Sequence, residues 1–318
     1  MTDTFRRVCL TAVTGLGLCL TLLPAGQAQA QAPTRVPCND IAALKTAINN
    51  ANTSGGSIVL ARNCTYSLTA ADNTDDGLPE VTGKVRISGD STIIQRAPST
   101  SAAFRVFHVT QTGNLSLDSV TVRGGEASGN GFGEAGGGIL NDHGRLTLTD
   151  VTVRNNRAGF LAGGIWNNLG TLVLKDTSVR DNTSIIGGGV ATSGTMNMRG
   201  GAIRDNTSGS WAGGLANGGD TTLNHASVDG NNSGESQTLT GPGGGIMTMS
   251  INGESGPLRL NSTRVRGNIS QSIGGGIMIG SREPTTLYRS SVTLNTANGG
   301  PGSGGGIHND GRGFGVII

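Results

Sequence analysis

One short signature recurs through most of the chain and restricts what it can fold into. Gly-Gly followed by an aliphatic residue occurs seven times, the aliphatic being Ile139, Ile165, Val190, Leu215, Ile246, Ile277 and Ile307. Successive copies lie 26, 25, 25, 31, 31 and 30 residues apart. Two alternating pairs follow each of the first six. Leu146-x-Leu148 and Val151-x-Val153 form the first set, and Leu172-x-Leu174 and Thr177-x-Val179 the second. Three residues after each set stands an asparagine: Asn156, Asn182, Asn206, Asn231, Asn268 and Asn295. Period-two apolar pairs read as short half-buried strands. A helix cannot run through these segments, because Gly and Asn interrupt every one. A period of this length, built from short strands, reads as one coil of a parallel β-helix, with each coil about 4.8 Å above the last. The expectation is an all-β solenoid of about seven coils.

This geometry assigns places to the recurring residues. The six asparagines fit an inward ladder at a corner, where a buried amide bonds its neighbours and the turning backbone. The Gly pairs fit a tight corner that needs positive φ or close backbone approach. The longer fifth and sixth coils should carry loops at Ser250 to Pro257 and Ser281 to Pro284. If the aliphatic after Gly-Gly points inward, the next residue points outward. Those residues are Leu140, Trp166, Ala191, Ala216, Met247, Met278 and His308. A second column, before the Gly pair, holds Leu161, Ile186, Trp211 and Ile273. Trp166, Trp211, Met247 and Met278 are the candidate ligand-binding residues, since stacked apolar side chains on a solenoid face can hold sugar rings or a protein; the alternative is a corner packed under its own loops.

Composition narrows the class further. Glycine supplies 55 of 318 residues, aromatics 3%, and the formal net charge is +2. So few aromatics argue against an ordinary α/β enzyme core, and the balanced charge gives no support for nucleic-acid binding. Arg6 and Arg7, then the apolar stretch from Val8 to Leu23, then Ala28-Gln29-Ala30, read as an export signal over residues 1–30. No transmembrane segment is expected after its removal. Cys9 and Cys19 leave with it, and an even pair in an exported chain predicts a Cys38–Cys64 disulfide. Residues 31–84 form an N-terminal cap. Ile41, Leu44, Ile48 and Ala51 lie on one helical face there, and Asn39 or Asp40 can cap the helix start. Residues 85–318 hold the repeats and reach Ile318 with no C-terminal cap, an open edge suited to pairing with another chain.

The Gly-Gly-aliphatic and aliphatic-x-x-Asn motifs resemble the repeats of polymorphic outer-membrane proteins. More broadly, the chain resembles right-handed parallel β-helix proteins of the pectin-lyase-like superfamily. The cap adds to this likeness, with Leu44-Lys-Thr-Ala-Ile-Asn-Asn-Ala-Asn52, Gly55-Gly-Ser-Ile-Val-Leu60 and Cys64-Thr-Tyr66. The resemblance implies a right-handed β-helix over about residues 38–318 and leaves function open. Enzymes of that superfamily cleave acidic polysaccharides, the lyases with carboxylate-bound Ca²⁺ and an Arg base, the hydrolases with clustered Asp. Asn73-Thr-Asp-Asp76 resembles one hydrolase motif, and His143-Gly144 another, but both read as chance matches, and no catalytic residue or metal site is assigned. Arg154, Arg180, Arg204 and Arg266 share one coil position beside Asp181 and Asp205, which reads as a charge-compensated ladder. The expected function is that of an exported, non-catalytic scaffold with no cofactor. It would be extracellular or on the cell surface, in the periplasm or at the outer membrane, and would bind polysaccharide or a surface protein in the manner of an adhesin. The alternatives are a polysaccharide lyase or glycoside hydrolase, with Ca²⁺ in the lyase case only, and a fragment of a larger surface protein.

Overall fold

The computed structural model describes residues 32–128, 135–234 and 241–311, together with the backbone of Val316–Ile317. The expected export signal, with Cys9 and Cys19, lies outside the described residues. Among them, no helix is long and apolar enough to cross a membrane.

The chain is a right-handed parallel β-helix. Three sheets of 18, 7 and 8 strands run along the stack. The largest contains two strand runs per coil, joined through a corner. Pairing from coil to coil is parallel and keeps like residues in line. Leu146 pairs with Leu172, and Leu172 with Met196. Val153 pairs with Val179, and Val179 with Ile203. These inward side chains merge into one buried, largely aliphatic core running from Val36 to Leu287, with Tyr66, Phe104 and Phe107 in its early coils. A small cross-section filled by stacked Leu, Ile and Val needs little aromatic mass.

The stack has about ten coils rather than seven. The Gly-Gly signature undercounts because the early coils lack it. Phe107 pairs with Ile139 and holds the aliphatic place, but Arg105-Val106 precedes it. Val81 bridges to Val109 one coil earlier. Strands Thr34–Val36, Gly56–Leu60 and Thr65–Leu68 also lie in the stack, within the segment read as cap. At the other end, Thr285 and Thr286 pair with Val316 and Ile317.

Close approach, more than backbone handedness, requires the Gly pairs. Positive φ falls on the residue before each pair, such as Gly187 at 65°, and Ala162 and Ala212 fill that place at 56° and 55°. A Cβ on Gly188 would lie 2.4 Å from the Thr207 carbonyl oxygen and 2.5 Å from that of Gly213. Gly188→Ala therefore has to push two coils apart, and should lower stability by about 2 kcal/mol. A urea midpoint equal to wild type would show that the coils yield freely.

The cap helix is Ile41–Ser54. Asp40 caps it by accepting from the Ala43 N–H at 2.9 Å, while Asn39 accepts from the Ser67 N–H at 2.8 Å. Leu44, Ala47, Ile48 and Ala51 form its buried face. Tyr66, fully buried, donates to the Val36 carbonyl at 2.8 Å and accepts from the Ala61 N–H at 3.0 Å. Cys38 and Cys64 are disulfide-bonded across 26 residues. Replacing both with Ser should cost roughly 3 kcal/mol from the freed loop entropy, read as a lowered urea midpoint of the oxidised protein's transition.

Candidate functional site

The structure corrects the apolar column. Trp166 is 0% exposed, Met278 5% and Met247 9%. With Leu140, Ala191 and Ala216 they form a second buried cluster, which Leu161, Ala162, Ala212 and Ile251 complete. The column does point away from the main core. However, the segments leading into each Gly pair, and the loop carrying Ile251, pack over it. A covered indole cannot stack on a sugar. Of the four candidate ligand-binding residues only Trp211, 38% exposed, reaches the surface.

The six asparagines line one corner in consecutive coils. The Asn156 N–H and Nδ2 both donate to Asn182 Oδ1 at 3.0 Å, and Asn182 does the same to Asn206. The pattern runs on through Asn231 and Asn268 to Asn295. Each Nδ2 also donates to a carbonyl of the preceding coil, as Asn206 does to Val179 at 3.0 Å. These residues hold the corner, their amides engaged with one another and with the turning backbone.

The outward face of the largest sheet carries a run of arginines in register. Strands Asn114–Arg123, Thr152–Arg154, Ser178–Arg180 and Ala202–Arg204 each end on arginine. Register places Arg123, Arg154, Arg180 and Arg204 side by side, between Gln95 at one end and Asp229 at the other. Adjacent rungs are about 4.8 Å apart. Only part of this ladder is neutralised. Arg180 pairs with Asp181, and Arg204 with Asp205 at 2.6 Å. Arg123 donates to the Gln95 amide oxygen at 2.6 Å, and Arg154 to that of Asn155 at 2.8 Å. Neither of these two has a carboxylate partner among the described residues. Burial first, then the charges of Arg123 and Arg180, hold the Arg154 pKa below the usual guanidinium value, with Asp181 opposing. Past the ladder, Asp229 is held by Arg264 through two hydrogen bonds of 3.2 and 2.7 Å. The repeated arginine was visible in the sequence. That the flanking acids leave two rungs unpaired was not, because Arg123 precedes the regular repeats.

The other strand run of the same sheet bears a groove of about 590 Å³. Lys84, Arg86, Arg145 and Lys175 line it, with Asn114 and Asp118 between. The two basic features share one sheet.

A compact charged cluster stands in the early coils. Asp76 and Arg105 bridge adjacent coils, and both are buried. Arg105 donates to Asp76 Oδ1 at 3.0 Å and to Asp75 Oδ2 at 2.9 Å. Asn73 Nδ2 donates to Asp76 Oδ2 at 2.9 Å. Burial would raise the Asp76 pKa, but the His108 hydrogen bond, the charges of Arg105 and His108, and the Asn73 amide outweigh it and hold the carboxyl below its usual range. The Asn73-to-Asp76 motif thus sits in a folded cluster with Arg105 and His108, two residues that sequence reasoning did not connect to it. The available signal was a charged and an imidazole side chain alternating with Phe104, Val106 and Phe107 in an apolar strand. His143, the other echo, contacts its neighbour Asp142 at 2.8 Å on the exposed surface.

The fold and this face define the chain as a parallel β-helix with an arginine ladder on its largest sheet. No protein-family model matches the chain, and no curated protein matches it. Among solved structures it is similar to the crystal structure of pectate lyase Pel9A, with a TM-score of 0.46 and 12% identity over 78% of this chain and 72% of that one.

Proposed function

We propose that this chain is an exported, non-catalytic β-helix scaffold that binds an anionic polysaccharide along its arginine ladder, at the cell surface or outside the cell. The partly unneutralised run of Arg123, Arg154, Arg180 and Arg204 carries the reading. Stacked like charges repel one another, and a ligand with regularly spaced anions relieves that repulsion. One rung per coil suits one acidic group per sugar ring, and guanidinium forks bind carboxylate or sulfate in bidentate fashion. Single-stranded nucleic acid fits less well, because its binding sites interleave basic groups with aromatic stacking platforms. None of the ladder's positions is aromatic. The disulfide supports an oxidising compartment and hence export.

The test is a panel of polygalacturonate, alginate, a sulfated glycan and neutral dextran, with and without Ca²⁺, scored for retention of the folded protein and for new sugar ends. Salt-sensitive retention by the charged polymers alone, without new ends, is the expected result. Time-dependent product would replace the scaffold by a lyase or hydrolase. Equal retention on dextran would remove the ladder from binding.

A further inference from the structure

The geometry points to a divalent transition-metal site, of the Zn²⁺ type, formed by Asp76, Glu80 and His108. The site stands apart from the arginine ladder and does not depend on the polysaccharide reading.

Its ligands come from two neighbouring coils. The bridges Asp76 to Arg105 and Val81 to Val109 lay residues 76–81 alongside residues 105–109. Glu80 and His108 each precede one member of the second bridge, so they meet on the outer side of the chain. One ligand atom from each of Asp76, Glu80 and His108 lies within 4.8 Å of the other two. His108 Nδ1 stands 3.2 Å from Asp76 Oδ2 and 3.5 Å from Glu80 Oε1. Metal bonds of about 2.0–2.2 Å hold neighbouring ligand atoms roughly 3 to 3.5 Å apart, so these spacings already suit an ion.

Two further observations favour a metal over a simple ion pair. One imidazole nitrogen faces two carboxylate acceptors. A single N–H can serve one of them well, whereas a metal bound at that nitrogen serves both. The charge is also unbalanced. The Arg105 guanidinium serves Asp75 and Asp76 Oδ1, while Glu80 and Asp76 Oδ2, the latter also accepting from Asn73 Nδ2, turn to the single imidazole of His108. The nearby cations Lys45 and Arg96 are engaged with Asp72 at 3.1 Å and Glu126 at 2.8 Å.

The donor set selects the ion. An imidazole with carboxylates suits Zn²⁺ and its transition-metal neighbours, while Ca²⁺ asks for six to eight oxygens. Asp76 is oriented by Arg105 and Asn73, as outer-shell partners orient metal ligands. Glu80, with its side chain 45% exposed, opens the site to solvent and to further water ligands. A bound ion would clamp the two coils next to the cap.

The test uses the chelator-treated full chain, titrated with Zn²⁺ and Co²⁺ by calorimetry, by visible absorption for Co²⁺, and by thermal unfolding. Expected are one ion per chain, a cobalt spectrum of mixed nitrogen and oxygen ligation, and a raised Tm. Glu80→Gln, on a partly exposed side chain that the fold tolerates, should weaken binding by about tenfold or more. His108→Asn should remove the cobalt spectrum, and His143→Asn should leave both readouts unchanged. Absence of stoichiometric binding by the folded wild type overturns the site. So does binding that survives both Glu80→Gln and His108→Asn.

Discussion

Asn206→Leu should cost about 4 kcal/mol and open the middle of the solenoid. The residue is fully buried and engages both adjacent rungs of the ladder. Its Oδ1 accepts from the Asn182 N–H and Nδ2, and its Nδ2 donates to Val179 and to Asn231 Oδ1. Leucine has similar bulk but removes all four bonds. Each is worth about 1 kcal/mol net, and the Asn182 N–H is left buried without a partner, which costs more. Gains from apolar burial do not offset this, because leucine's branches would face amides in place of stacked aliphatics. Asn295, only half-buried and at the far end of the ladder, should lose far less when changed in the same way. Amide hydrogen exchange at residues 182 and 206 reads local opening, which suits a solenoid whose coils contact only their neighbours. A loss under 1 kcal/mol for Asn206→Leu would show that the corner does not depend on the ladder.

Arg154→Glu should weaken anionic-polysaccharide binding tenfold to hundredfold while leaving the free protein as stable as wild type, or more so. Arg154 stands between Arg123 and Arg180 and bonds only an amide oxygen. In the free chain its charge is therefore a cost to its neighbours, and a carboxylate there relieves repulsion. In the complex, a charge-assisted bond worth about 1.5–3 kcal/mol is lost, and each 1.4 kcal/mol is a factor of ten. Opposite signs on stability and affinity separate a ligand contact from a structural one. Arg264→Gln is the control: its charge is spent on Asp229, beyond the end of the ladder, so affinity should hardly change. Retention of full affinity by Arg154→Glu, at a salt concentration where wild type binds, would sink the ladder as a binding face.

The two candidate sites differ in how much of them could be read in advance. Arg154, Arg180 and Arg204 recur with the coil period, so their alignment was legible. Which of them are neutralised was not, because that depends on which side chains meet in space: Arg180 and Arg204 pair with Asp181 and Asp205, whereas Arg154 and Arg123 bond amide oxygens. Asp76 and His108 lie 32 residues apart and share no motif. Only parallel pairing of two coils that lack the Gly-Gly signature brings them together. The opposite error fell on Trp166. Its outward direction followed from alternation, but its surroundings come from chain segments before each Gly pair and from a loop two or more coils further on.

The sequence by itself determined the repeating unit, the inward aliphatic and asparagine columns, the cap helix and the cysteine pair. Each of these follows from spacing along the chain or, for the cysteines, from their number, and parallel stacking then copies one coil's placement onto the next. The tertiary structure alone decided the number of coils, the covering of Trp166, Met247 and Met278, the two unpaired rungs of the arginine ladder, and the meeting of Asp76, Glu80 and His108. Those depend on which side chains from different coils share a space. Burial and electrostatic neutralisation are set by that three-dimensional neighbourhood, and a one-dimensional period does not contain it.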